Sequence, residues 1–217
     1  MEWQILEVLS PDERQALLAL TRRRRFARNE VIFHEGDPGD TLHLVAKGHV
    51  AVRVTTPLGD VATVRVLQAG EFFGELAIIS PGPRNATAVA LDPVETRAIH
   101  RDQFDALRTR DPAIDRVIIE ALVTEVRRLA VQLVDALYIP VEKRIWRRVG
   151  DLAGIFGSGD GSAVNIPLTQ EELAQVVGAT RPTVNRTLKE GEDAGVVRLG
   201  RGRVEVLDRD AVARLAR

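Results

Sequence analysis

The 217-residue chain contains no cysteine, one methionine and one tyrosine, and aromatic residues make up only 4% of it. Without cysteine there is no disulfide, no thiol nucleophile and no thiolate-held iron–sulfur cluster. A reducing compartment suits such a chain. No apolar run approaches the ~20 residues that a membrane-spanning helix needs. The stretch "MEWQILEVLSPDERQALLAL" is acidic and helical in pattern and lacks a signal-peptide layout. A cytoplasmic location with no membrane partner is expected. An excess of one charge is missing too, since 30 Lys+Arg face 31 Asp+Glu. Residues 140–217 carry 13 basic against 11 acidic side chains, a weak bias. The densest basic run, Arg22–Arg25, reads as a solvated strand edge or turn rather than a nucleic-acid arm.

What is present is a sequence of periods. Residues 3–20 place apolar side chains at helical spacing, interrupted at Ser10-Pro11, where Ser10 and Glu13 suit a capping box. The period then shortens. Leu42, Leu44, Val50, Val52 and Val54 alternate with other residues, and glycines at 36, 48, 59, 70 and 82 recur every 11 or 12 positions. Short strands with regular turns predict a small sandwich or jelly roll. Near Arg101 helical spacing returns, and no Gly or Pro interrupts the chain between Pro112 and Pro140. That is far longer than the usual helix of about 11–12 residues. Ile118, Leu122, Leu129, Leu133 and Ala136 form a stripe, with Val126, Ala130 and Leu137 beside it. A surface so wide predicts that one side covers the sandwich and the other meets a second copy of the chain.

After Pro140 comes an amphipathic helix, "VEKRIWRRVGDLAGIF", then a loop, "GSGDGSA". In the next stretch Thr169 and Glu172 predict a capping box, with Gln170 opening the helix. Ala174 is small enough for a tight crossing, and Gly178 permits a sharp turn. Thr180 can cap the following helix and Pro182 suits its first turn. Val184 and Leu188 point inward, leaving Arg181, Thr183, Asn185, Arg186 and Lys189 outside. This is the layout of a helix-turn-helix, whose second helix enters the major groove of DNA. "VVRLGRGRVEVL" follows as a hairpin turning at Gly200-Arg201-Gly202, a wing with three arginines. An αα-hairpin with a solvated face would share the helical pattern but not the basic wing.

One stretch, "FGELAIISPGPRNATAV", fixes a single acid, Glu75, and a single base, Arg84, in an apolar loop. With "GDPGDTLHLVAKGHVAV" before it and "LTQEELAQVVGATRPTVNRTL" after it, the chain resembles the cyclic-AMP receptor/fumarate-nitrate regulator (CRP/FNR) family of bacterial transcription factors over nearly its whole length. The resemblance implies an α+β protein. A cyclic-nucleotide-binding β jelly roll spans 1–110, a dimerisation helix 111–139, and a winged helix-turn-helix 140–217. It implies a homodimer that binds a double-stranded DNA operator and RNA polymerase under control of a small effector, a cyclic nucleotide being the candidate. Phe73, Gly74, Glu75, Leu76, Arg84, Asn85 and Ala86 would form the effector site. Arg84 has a planar fork for phosphate oxygens, Glu75 can accept from a ribose hydroxyl, and backbone N–H groups can form an anion nest. A structural Glu75–Arg84 ion pair is the other reading. Members that answer to cyclic AMP place hydroxyl groups on the long helix where this chain has Leu129 and Ala130, so the base end is apolar. Another nucleotide, or a relic pocket without a ligand, stays open. The family's base-reading glutamate is replaced by Pro182, which predicts a different operator at that position.

Other sensors and enzymes are poorer matches. Haem would need an axial ligand from His34, His43, His49 or His100, which nothing in the sequence gathers. A cupin-like metalloenzyme would need a histidine–carboxylate cluster, and the turn at Lys47-Gly48 separates His43 from His49. No metal site and no catalytic constellation is expected.

Overall fold

The computed structural model describes residues 3–7, 9–157 and 162–217. Most of the expected loop at Gly157–Ala163 lies outside the described residues. The chain divides into two compact units, Met1–Val54 with Leu67–Leu129, and Thr55–Val66 with Ala130–Arg217.

The first unit opens with α1 (Gln4–Glu7) and α2 (Pro11–Leu20), the second begun by the reciprocal Ser10–Glu13 capping box. Along the chain then come β1 (Arg22–Phe26), β2 (Val31–Phe33), β3 (Thr41–Lys47), β4 (Val50–Thr55), β5 (Val61–Leu67), β6 (Phe72–Phe73), α3 (Leu76–Ile79), β7 (Thr87–Ala90), β8 (Val94–His100), α4 (Arg101–Arg110) and α5 (Ala113–Tyr138), of which β5 up to Val66 and α5 from Ala130 belong to the second unit. One antiparallel sheet runs β1-β8-β3-β6, and a second carries β2, β7 and β4 as neighbours. Val45, Val50, Phe73, Ala88, Ala90 and Val94 fill the space between the sheets. The outer face of the first sheet is covered by helices: Leu42, Leu44, Phe72 and Ile99 meet Ile5, Leu6, Leu17, Phe104, Ile114 and Ile118. Strand β3 is therefore buried on both faces, with Leu42, Leu44 and Val45 all at 0% exposure, and simple alternation does not describe it. Strand β1 is the end strand, and Arg22 to Arg25 are all exposed along it, a charged edge that discourages further strand pairing.

The long helix takes two members of the expected stripe, Ile118 and Leu122, into the unit's own side and leaves Leu129, Leu133 and Ala136 exposed. Ile118 is only 3% exposed and belongs, with Ile114, to the unit's own core, while Leu122 packs against that core. The outward line is Ile119, Val123, Val126, Ala130, Leu133 and Leu137, spaced four and three in alternation. Its large side chains are 43–65% exposed. Between Ile114 and Val123 the sequence has apolar residues on both lines, and only the placement of the sheet selects which one faces inward.

In the second unit α6 (Val141–Phe156) packs on β9 (Val164–Ile166), α7 (Gln170–Val177), α8 (Arg181–Asp193) and α9 (Arg209–Leu215). Strands β10 (Val197–Gly200) and β11 (Arg203–Val206) join β9 in an antiparallel sheet of order β10-β11-β9. Trp146, 5% exposed, fits against Gly191 so closely that an added Cβ would lie 2.3 Å from the indole Cη2. An alanine there gains ~0.5–1 kcal/mol of helix propensity. Overpacking a core costs ~1–3 kcal/mol, and a ring this enclosed has little room to yield. Gly191→Ala should therefore be destabilised by about 1–2 kcal/mol in urea unfolding followed by circular dichroism. An unchanged midpoint would mean that the indole moves freely.

Candidate anion site and nucleic-acid interface

The sandwich brings Arg84 inside. Its backbone N–H donates to Asp37 O at 2.8 Å and its carbonyl accepts from Gly36 N–H at 2.8 Å, which fixes the loop after Pro83 to the turn that precedes β3. The side chain then runs inward, and the residue is only 4% exposed. Nη1 donates to the Gly74 carbonyl at 3.0 Å, and Nη2 donates to the Thr41 carbonyl at 2.7 Å and the Thr41 hydroxyl at 2.9 Å. The guanidinium carbon stands 4.1 Å from the centre of the Phe33 ring, a cation–π contact. Nε–H is buried and has no hydrogen-bond partner among the described residues. Burial depresses the guanidinium's pKa, while the carboxylates of Asp40 and Glu75 act in the opposite sense.

Gly74 makes this arrangement possible. It has φ +85°, and a Cβ on it would lie 2.7 Å from Arg84 Nη1 and 3.0 Å from the Thr41 carbonyl. The close approach and the left-handed backbone both call for glycine. Glu75 is half-buried at the N-cap position of α3, Phe73 and Ala86 are buried, Leu76 is 42% exposed and Asn85 is exposed. Leu129 and Ala130 are exposed on α5. A solvent-open cleft of about 510 Å³ lies on neighbouring loops, lined among others by Gly36, Gly39, Asp40, His100 and Arg101. Arg84 is not on its wall, so an anion site rests on Arg84's own surroundings.

Part of this site is not legible in the sequence. The Thr41 hydroxyl lies 3.2 Å from His43 Nε2, and His43 Nδ1 lies 3.2 Å from the hydroxyl of Thr96, which is fully buried. The imidazole stacks on Phe73 at 5.1 Å between centres. Burial, helped by the charge of Arg84, pushes its pKa down to about 3, so it is neutral at physiological pH. A histidine between Leu42 and Leu44 in a strand was the available signal, but its meaning depended on the sheet being covered on both faces. The other histidines stand in separate surroundings. His49 bonds Asp92 at 2.6 Å, His100 caps α4, and His34 lies 3.7 Å from Asp37. Among the described residues no His/Cys/Asp/Glu group could hold a metal ion.

The second unit places α7 and α8 around a tight turn. Thr169 and Glu172 cap α7 reciprocally, with Glu172 N–H donating to the Thr169 hydroxyl at 3.1 Å and Thr169 N–H donating to the Glu172 carboxylate at 2.8 Å. Gly178 ends the helix at φ +69°, in the left-handed conformation that C-caps favour. Thr180 caps α8, and its hydroxyl is 2.9 Å from that of Thr183. Ala174, Val184 and Leu188 are buried. Arg181, Asn185, Arg186 and Lys189 are exposed, while Gln170 and Thr183 are half-buried. Arg186 Nη2 is 3.4 Å from Glu142 on α6, and Lys189 is 2.8 Å from Glu192. In the hairpin, Arg198 pairs with Glu205 at 2.8 Å and Arg201 stands exposed at the tip.

Known proteins share both halves. Residues 23–111 match the family described as Cyclic nucleotide-binding domain, and residues 127–215 match the Crp-like helix-turn-helix domain. A CRP-like cAMP-activated global transcriptional regulator of Mycobacterium tuberculosis is 33% identical over 210 residues, covering 94% of each chain. A cyclic AMP receptor protein of Thermus thermophilus is 33% identical over 198 residues, 91% of this chain and 89% of its own. The fold matches a c-di-GMP-responsive global regulator of Xanthomonas campestris with a TM-score of 0.78 at 22% identity, over 92% of this chain and 100% of that one. A third of the residues shared over more than nine-tenths of the Mycobacterium protein, with a match in each half, places the chain in the CRP/FNR family of DNA-binding transcription regulators, which are not enzymes.

Proposed function

We propose that this regulator acts as a homodimer whose DNA binding is gated by an anionic effector of cyclic-nucleotide type, seated on Arg84. Its effector domain spans 1–110, its dimer helix 111–139 and its DNA-binding domain 140–217. The observation that carries the reading is the buried Arg84 guanidinium with Nε–H left over, in a niche opened by Gly74. A phosphate would supply charged acceptors for such a fork. Glu75 would accept from a ribose hydroxyl, with Phe73, Leu76, Asn85 and Ala86 around it. The Mycobacterium and Thermus relatives are named for cyclic AMP, which supports the ligand class. Neither Leu129 nor Ala130 can hydrogen-bond a base, so weak binding of cyclic AMP is expected. One observation favours a second reading, a relic pocket without an effector: the Gly74 and Thr41 carbonyls already hold the fork.

Calorimetric titration with cyclic AMP and cyclic GMP separates the two. On the effector reading Arg84→Ala weakens binding on the order of a hundredfold, because charge-assisted hydrogen bonds contribute ~1.5–3 kcal/mol each. Wild-type protein that binds neither, combined with reduced stability of Arg84→Ala, supports the relic. Binding that survives Arg84→Ala unchanged overturns the site.

For DNA, Arg181 and Arg186 are proposed to read guanine edges. Thr169, Gln170, Thr180, Thr183, Asn185 and Lys189 frame the groove, and Arg201 meets a phosphate. Each bidentate arginine–guanine pair discriminates by ~1–3 kcal/mol. Arg186→Ala should relax specificity at a defined base pair, whereas Arg201→Ala should weaken all sequences alike and lower the salt slope by about 1. Uniform weakening by Arg186→Ala in a binding-site selection experiment would remove its assigned role. RNA polymerase is the partner expected once the operator is bound.

The second copy is proposed to dock along Ile119, Val123, Val126, Ala130, Leu133 and Leu137. A four-three spacing over a 26-residue helix is a coiled-coil seam, and these side chains are otherwise open to water. Val126→Asp puts a carboxylate from each copy into that seam, a desolvation of several kcal/mol. Sedimentation should then show folded monomers with little operator affinity, since paired half-sites are read together. A dimer that persists in the variant refutes the seam.

A further inference from the structure

His43 is costly where it stands. A polar ring enclosed by Phe73 and, at 6.0 Å, Phe33 has left water, and phenylalanine would fill the same space without that penalty. Its two nitrogens are both used, and proton counting gives them direction. Arg84 is a donor only, so the Thr41 hydroxyl accepts from Nη2. The remaining hydroxyl proton can go to His43 Nε2 at 3.2 Å, and the ring proton then lies on Nδ1, facing the Thr96 hydroxyl at 3.2 Å. The opposite order, with the proton on Nε2, would point the positive end of the imidazole dipole towards the guanidinium. The first order points the lone pair there instead, and a hydroxyl polarised by a cation is the better donor. The chain of bonds is thus Arg84 to Thr41 to His43 to Thr96, running from the first residue of β3 across to β8.

We propose that His43 and Thr41 are positioning residues of the anion site. The Nδ1-protonated imidazole fixes the Thr41 hydroxyl, and the hydroxyl fixes the orientation in which the Arg84 fork meets an anionic effector. The idea rests on the effector reading for its consequence, but the hydrogen-bond order can be read without any ligand. Thr41 is suited to the task because it supplies both a carbonyl and a hydroxyl to one nitrogen, so that the guanidinium plane cannot turn about a single bond. His43 is suited because, held neutral, it can be an acceptor towards Thr41 while remaining a donor on its far side.

The test uses the full chain labelled with nitrogen-15. Imidazole resonances should report the neutral tautomer with the proton on Nδ1. Thr41→Val and His43→Phe should each shift and broaden the Arg84 Nε–H signal, and Thr41→Ser should restore it. Titration with cyclic GMP and cyclic AMP should show affinity lowered about fivefold to tenfold in Thr41→Val and His43→Phe, with recovery in Thr41→Ser. A tautomer with the proton on Nε2, or an Arg84 signal unmoved in both variants, overturns the proposal. Should His43→Phe fail to fold, Thr41→Val carries the same readouts. If the wild-type chain binds neither nucleotide, the effector reading fails, and the tautomer with the Arg84 signal still decides the positioning role.

Discussion

A positive charge buried in a β-sandwich must be met by acceptors, and much of the first unit is arranged to meet one. The guanidinium of Arg84 takes the carbonyls of Thr41 and Gly74, which lie 43 and 10 residues away in sequence. It thereby staples the start of β3 to the turn that leads into α3. Phe33 covers its face, and Asp40 and Glu75 offset part of its charge. Removing either carbonyl's alignment would strand a buried donor, which costs about 1–3 kcal/mol or more for a charged group. Glycine at 74 is a consequence of the same contact, because any larger residue would occupy the space of Nη1.

The second constraint is that β3 has no solvent face. Its residues Leu42 and Leu44 support helices while Val45 supports the opposing sheet. Trp3 fastens the N-terminal helices to the same strand, its indole N–H donating to the Val45 carbonyl at 2.9 Å. A strand held this firmly makes Thr41 and His43 poor candidates for movement, since packed interiors resist displacement of single side chains. Long helix α5 shares the burden at one end, giving Ile114 and Ile118 to the core while leaving its outward line apolar.

Features whose cause is local were legible in the sequence. The capping boxes at Ser10–Glu13 and Thr169–Glu172, the left-handed Gly178 and the hairpin at Arg201-Gly202 all formed where turn and cap chemistry placed them. The order of sandwich, long helix and winged helix-turn-helix followed from changes of period. Features decided between distant segments were not legible. Ile118 and Ile119 are equally apolar, and which of them faces inward depends on where the first sheet lies. His43 could be weighed only as a metal ligand until Thr41, Thr96 and Arg84 were seen around it. The hairpin turn itself marks Arg201 as the wing's tip, but that Glu205 engages Arg198 is a cross-strand pairing that only the register decides.

On the proposed reading, these constraints also bear on how an effector could act. A ligand shifts a conformational equilibrium only by its difference in affinity for the two states. In the arrangement seen here, neutral carbonyls occupy two nitrogens of Arg84. A phosphate oxygen, being charged, is the stronger acceptor and can replace one of them. Thr41 begins the doubly buried strand and is bound to the guanidinium through two oxygens, so its carbonyl is the harder to displace. Gly74 offers a single carbonyl at 3.0 Å, from a half-buried residue with a backbone free of Cβ strain. Exchange of acceptors is therefore easiest at Gly74, and α3, which starts two residues later at Leu76, is the element that would feel it first.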